Sequence, residues 1–290
     1  MAMDRRTELG DFLRSRRARL RPEDLGLPRH GGLRRVPGLR REELAQLAGV
    51  SVDHYVRLEQ GRTLHFSEAV LDAVARALRL DAVEREHLYR LARPAAPASP
   101  TDPNPHPYPD GVRPGLRRLL DSAADVPAYV IGRGTHVLAW NTLAAALLTD
   151  FGALPPRERN MARLVFLDEA TRSLYADRRA KAQDVAAYLR LDAARHPDDP
   201  ALAALLAELD ASSPLFREVW SEHRLRDKTH GGYRYHHPVV GPLDLAFETF
   251  RLPDTPDQAL VIHTVEPDSP SATALRLLAT WSHETARAAR

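Results

Sequence analysis

The sequence predicts two domains, a compact all-α bundle of about five helices followed by an α+β unit. Three observations carry this. Apolar stripes at spacings of three and four dominate residues 7–92. Eight prolines, Pro94 to Pro114, crowd residues 93–115, a run that packs neither as helix nor as central strand. From residue 127 onward, strand-like runs bracket a long helical block. The predicted boundaries are 1–93 for the bundle, 94–113 for a Pro-rich linker and 114–290 for the α+β unit.

Residues 7–20 read as the first helix. Leu9, Phe12, Leu13 and Leu20 are its apolar side, and Arg14, Arg16, Arg17 and Arg19 suit a solvated face or phosphate contacts equally. Residues 21–38 form a loop rich in Pro, Gly and Arg. In it Arg34 and Arg35, with Arg40 just beyond, suit a DNA backbone or a minor groove. Two short helices follow in 41–61, broken by Gly49. Leu44, Leu47 and Ala48 form one stripe, Gly49 supplies a left-handed turn, and Ser51 caps the next helix. This is the helix-turn-helix pattern, whose second helix enters a DNA major groove. Residues 67–78, capped by Ser67, and 81–92 complete the bundle.

Beyond the linker a helix is expected at 114–124, then strands at 127–132 and 135–140 joined at Arg133-Gly134. Asn141 caps a helix reaching about Phe151. Residues 157–224 are strongly helical, with patterns at 168–176, 178–195, 199–211 and 214–223, and strands 228–238, 242–252 and 258–266 precede a last helix at 270–289. Such a chain makes an antiparallel sheet covered on one face by the central helices, an arrangement that often encloses a pocket.

The chain has 290 residues and a net charge of +2. Residues 1–93 carry 19 Arg against 14 acidic residues, and the remainder is slightly acidic, so the electrostatic pull on phosphates belongs to the helix-turn-helix half. There are no cysteines, which excludes disulfides, thiolate metal sites and a cysteine nucleophile. No signal-peptide pattern or membrane-length apolar run is seen, and a cytoplasmic protein is expected. No Gly-x-Ser-x-Gly, phosphate-cradling Gly loop or His-Glu-x-x-His occurs, so an enzyme is not expected and no cofactor is implied.

Two sets of segments resemble a known family. Arg34–Ala45 and Tyr55–Arg62 resemble the lambda-repressor-like (XRE-type) helix-turn-helix regulators of the actinobacterial type. Val126–Asn141, Asn160–Leu167, Phe216–His223 and His237–Leu243 are similar to the PAS-like ligand-binding domain of MmyB-type regulators. The resemblance implies a transcription factor with a PAS-like small-molecule sensor, associated with fatty-acid-like ligands. The chain departs from the pattern at Arg178, where the family tends to place a tryptophan.

Recognition-helix residues near the N-terminus point at base edges. The candidate DNA contacts are therefore Ser51, Val52, His54 and Arg57, with Gln46 and Arg62 on the backbone beside Arg34, Arg35 and Arg40. Arg57 suits guanine or phosphate, Val52 a thymine methyl, and Ser51 serves equally as a cap. Candidate ligand contacts are the aromatics Tyr129, Trp140, Tyr175, Tyr188, Phe216, Trp220, Tyr235 and Phe247, with Asn141, Arg190, His223, Arg226 and His237 as polar partners. Strand alternation places Tyr233, Tyr235 and His237 on one face and Leu243, Leu245 and Phe247 on another, together an apolar floor with one polar corner. Each named polar residue has a structural alternative, Asn141 as a helix cap and the histidines as partners of buried carbonyls. A metal site from His223, His230, His236 and His237 is disfavoured by irregular spacing. The partners expected are operator DNA, a small hydrophobic ligand and a second copy of the chain, since such motifs read two-fold sites as dimers. The alternative makes the second half a dimerisation module alone. A linker rich in proline would pass a signal through dimer geometry.

Overall fold

The structure, a computed structural model, describes residues 5–25, 38–61, 66–92, 111–225 and 229–288. The chain divides into two compact units. The first consists of Met1–Pro100, Arg190–Ala204 and Ser221–Arg226, and the second of Thr101–Leu189, Leu205–Trp220 and Asp227–Arg290.

The first unit contains α1 (Arg5–Arg19), α2 (Arg41–Ala48), α3 (Val52–Glu59), α4 (Glu68–Ala77) and α5 (Ala82–Ala92). Gly49 ends α2 at φ 66° and ψ 28°, and its N–H returns to the Ala45 and Gln46 carbonyls. A side chain with a Cβ is strained there, which is why glycine stands at the turn. Ser51 Oγ accepts the His54 N–H at 3.2 Å and so caps α3. Leu9, Phe12 and Leu13 of α1 pack with Leu44, Tyr55, Leu58, Leu71, Val74 and Leu88 in one cluster, which Leu191, Ala194 and Leu225 complete. Leu47, expected on the buried stripe of α2, is instead exposed, and Ala45 is buried in its place. The small Ala45 side chain allows the close approach of α3, and Leu47 is rotated out of the core.

The second unit begins with α6 (Pro114–Ser122), whose first turn Pro114 fits because it needs no N–H. β1 (Ala128–Ile131) and β2 (Val137–Trp140) follow, then α7 (Thr142–Leu147), α8 (Met161–Leu167) and α9 (Glu169–Leu174). α10 (Arg178–Arg195) starts in this unit and its last turns belong to the first. α11 (Pro200–Ser212), α12 (Pro214–Ser221), β3 (His230–His237), β4 (Gly241–Leu252), β5 (Thr255–Thr264) and α13 (Pro270–Ala288) close the chain. The five strands form one antiparallel sheet in the order β2-β1-β5-β4-β3.

Register decides which side chains share a face. Tyr129 pairs with Val261, Phe247 with His263 and Tyr235 with Leu243, so one face carries Tyr129, Val261, His263, Phe247, Leu243 and Tyr235. The opposite face carries Ala128, Val130 and Leu260, on which Leu116 and Leu120 of α6 pack. The sheet is thus covered in part on both faces, where a roof on one face was expected. Two helical expectations also change. The helix from Asn141 stops at Leu147, because Asp150 Oδ1 accepts the Gly152 N–H at 3.0 Å in a turn. α8 lies in the stretch 157–224 expected to be helical but outside its four patterns; its seven residues are too short for a clear stripe, and Asn160 Oδ1 caps it by accepting the Ala162 and Arg163 N–H groups.

Candidate functional site

The first site is the exposed face of α3. Ser51, Val52, His54 and Arg57 are all exposed, as are Arg40 and Gln46 near α2. Val52 is 42% exposed, a large fraction for an apolar side chain at a helix start. Ser51 is engaged as the cap, with its Oγ 3.1 Å from His54 Nδ1. Arg57 Nη2 lies 2.7 Å from Asp53 Oδ2 one turn earlier. Arg34, Arg35 and Arg62 lie outside the described residues.

A buried carboxylate holds this helix in place. Glu59, 1% exposed, accepts from Arg17 Nε at 3.0 Å and Nη2 at 3.2 Å, and from Arg41 Nε at 2.7 Å. The end of α3 is thereby tied to α1 and to the start of α2. Burial alone would raise the Glu59 carboxyl, but the bonds from Arg17 and Arg41 outweigh it and hold the group below the ordinary carboxylate range. Gly10 of α1 lets the backbone of α3 approach closely: a Cβ there would sit 2.5 Å from the Glu59 backbone carbonyl oxygen.

The second site lies over the sheet face that carries Tyr129. Tyr175, extended after α9, bridges to Tyr235 of β3, and their rings are 5.1 Å apart. Tyr233 lies 5.6 Å from Tyr175 and stacks on Phe247 at 5.2 Å. Tyr129 stacks on His263 at 5.9 Å and reaches Phe151, which meets Trp140 at 5.3 Å. These rings form one cluster floored by β1, β3, β4 and β5.

Its polar groups come from α10 and β5. Lys181 Nζ stands 5.1 Å from the Tyr175 ring and 4.7 Å from the Tyr233 ring. The Tyr233 hydroxyl donates to Asp184 Oδ2 at 2.5 Å. Tyr188 extends the same helix face and meets the Arg251 guanidinium at 5.5 Å. The Tyr235 hydroxyl and His263 Nε2 are 2.9 Å apart. Burial, with the Lys181 charge adding to it against the Pro127 carbonyl, pushes His263 down to about 3, so the imidazole is neutral. Burial raises the hydroxyls of Tyr129, Tyr175, Tyr233 and Tyr235, the Tyr233 group further through Asp184, so all four keep their protons. The cluster is a buried set of aromatic rings in mutual contact, with the charged Lys181 and Asp184 of α10 at its edge.

Several expected ligand contacts are elsewhere. Asn141 spends its side chain on structure. Its Oδ1 accepts the Ala144 and Ala128 N–H groups at 2.8 and 3.1 Å, and its Nδ2 donates to the Ala123 and Val126 carbonyls at 2.6 and 2.7 Å. His237 Nε2 donates to the Ala146 carbonyl at 2.9 Å and its Nδ1 accepts the Val239 N–H at 3.2 Å, so it is not the polar corner. Phe216 sits edge-on to Phe166 and stacks on Trp220, a separate pair of contacts that fills the roof. Arg190 and His223 belong to the first unit, where Arg190 Nε is 2.9 Å and His223 Nδ1 3.5 Å from Glu8 Oε1. Arg226 lies outside the described residues. Lys181, Asp184, Phe151 and His263 were missed. The spacing of Lys181, Asp184 and Tyr188 on one helix face, and the parity of His263 with Val261, were the available signals.

Two family models match the chain. One describes the MmyB-like transcription regulator ligand binding domain and matches residues 112–278; the other describes a helix-turn-helix domain and matches residues 8–88. A search of curated proteins found no match. No helix among the described residues is long and apolar enough to cross a membrane.

Proposed function

The chain belongs to the family of the MmyB-like transcription regulator ligand binding domain, joined to a helix-turn-helix domain, and from that premise we propose a sequence-specific DNA-binding regulator answering to a small hydrophobic ligand. The observation that carries the reading is the exposed face of α3, with Val52, His54 and Arg57 outward and the helix clamped at its far end by Glu59. A rigid helix presenting a short row of side chains is what major-groove reading needs. The second site supports a fatty-acid-like ligand, its chain among Tyr129, Tyr175, Tyr235 and Phe247 and its acid end near Lys181. A regulator of this size reading two half-sites would act as a homodimer. The protein is proposed to act in the cytoplasm, of the XRE type, without catalysis.

Native mass spectrometry of the purified full-length protein tests the sensor half. The expected result is a retained lipid-like mass, or saturable binding of added hexadecanoate. A protein that retains none and binds none contradicts the ligand reading and favours the dimerisation module.

A further inference from the structure

The first unit holds a groove that the exposed residues of α3 do not line. α2 and α4 pack on each other through the buried Leu44 and Ala45 of α2 and Leu71, Val74 and Ala75 of α4. Beside that contact the side chains of α4 are small. Ala73 and Ala77, one turn apart, leave a space of about 260 Å³, walled by Leu25 and Leu47 and lined further by Arg76 and Arg79. A single exposed leucine is ordinary on a protein surface. Leu47 differs because a concave apolar space opens next to it.

Size and charge say what fits. Small-molecule sites enclose about 300–1,000 Å³, so this groove falls short of one and suits one or two apolar side chains. Arg76 and Arg79 are both exposed. Asp72, one turn before Arg76, turns instead to Arg85 and Tyr89 of α5. The lining therefore carries positive charge and no carboxylate. Residues 26–37, which follow Leu25 in the chain, contain Arg29, Arg34 and Arg35 and no acidic residue, so charge opposes them as the occupant. We propose that this groove docks a second protein through an acidic segment with apolar anchors, the anchors seated between Leu47 and the two alanines and a carboxylate paired with Arg76 or Arg79. An amphipathic helix brings such anchors at spacings of three and four, and a guanidinium matches a carboxylate with two parallel hydrogen bonds. Docking there needs neither a ligand in the second unit nor any change in α3. On the function proposed above, Val52, His54 and Arg57 stay open to DNA while α2 and α4 hold the partner.

The probe is a library of short random peptides displayed on phage and panned against the full-length protein. The expected result is enrichment of peptides that carry Asp or Glu beside Leu, Phe or Trp. With a fluorescein label, such a peptide binds the wild type, and Leu47→Ser and Arg76→Glu each raise its Kd by about tenfold or more, while Arg76→Lys stays within about threefold. Both positions are exposed, and far-UV circular dichroism checks the fold; Arg76→Gln replaces Arg76→Glu if the latter unfolds. No enrichment, enriched peptides without acidic residues, or a Kd that neither variant changes overturns the proposal. A wild type that sediments as a larger species than Leu47→Ser, with no peptide enriched, assigns the groove to a second copy of the chain and overturns it too. Weaker binding of random DNA by Arg76→Glu, with peptide binding unchanged, assigns Arg76 to phosphate and has the same consequence.

Discussion

The Arg57 guanidinium lies 2.7 Å from the Asp53 carboxylate, one turn toward the N-terminus of α3, on the face that looks outward. The pair is exposed at both ends, so it contributes only about 0.3–0.5 kcal/mol to the helix. On the function proposed above, a guanine or a phosphate would take the place of this carboxylate. Arg57→Ala is expected to lower specific affinity by the worth of one base contact, about 1–3 kcal/mol, with circular dichroism unchanged. An unchanged Kd and an unchanged selected sequence would show that Arg57 reads nothing.

Asp53→Ala should act in the opposite direction. It releases Arg57 and removes a negative charge from the face that the proposed function turns toward DNA. Binding to random-sequence DNA at low salt is expected to tighten severalfold, while the discrimination between selected and random DNA narrows. Weaker binding to random DNA would mean that the pair, as a pair, positions Arg57.

Glu59→Gln keeps the shape of the side chain and removes the charge that Arg17 and Arg41 share. Breaking a buried pair costs about 3–5 kcal/mol. Arg41 keeps contact with water and compensates in part, so the lower end, about 3 kcal/mol, is expected in denaturant titrations followed by far-UV circular dichroism. A loss under ~1 kcal/mol would show that packing, not the carboxylate, fixes the end of α3.

His263 gives the second unit a pH dependence of defined sign. Its folded pKa is depressed to about 3, against about 6.5 for a free imidazole. The unfolded chain therefore binds a proton between these values that the folded chain does not. Stability is full above pH 6.5 and falls as pH drops toward 3, by about 1.4 kcal/mol per unit. All three tryptophans, Trp140, Trp220 and Trp281, belong to this unit, so their fluorescence reports it directly. Between pH 6.5 and 5, where few carboxylates titrate, unfolding midpoints should fall in the wild type and stay level in His263→Gln. Parallel curves for the two proteins would remove His263 as the source.

What the sequence made legible follows from which interactions are local. The helix-turn-helix was readable because Gly49, Ser51 and the apolar spacings act within a few residues of themselves. The exposed row on α3 came from the same spacing. The floor of the aromatic cluster was readable from strand parity in Tyr233, Tyr235 and Phe247. The polar corner was not, because Lys181 and Asp184 gain meaning only when Tyr175 and Tyr233 arrive from other elements. Asn141, His237 and Arg190 have the right chemistry for a ligand, and their neighbours' backbone groups or Glu8 use it instead. No spacing in one chain announces a pairing between Glu8 and Arg190.

Sequence reading by α3 is measured by selection from a random double-stranded pool with the full-length protein, sequenced after successive rounds. The expected result is an enriched motif with two-fold symmetry and half-sites about one helical turn apart, which Arg57→Ala weakens or loses. A pool that shows no enrichment, or the same motif with the same strength for Arg57→Ala, would contradict it.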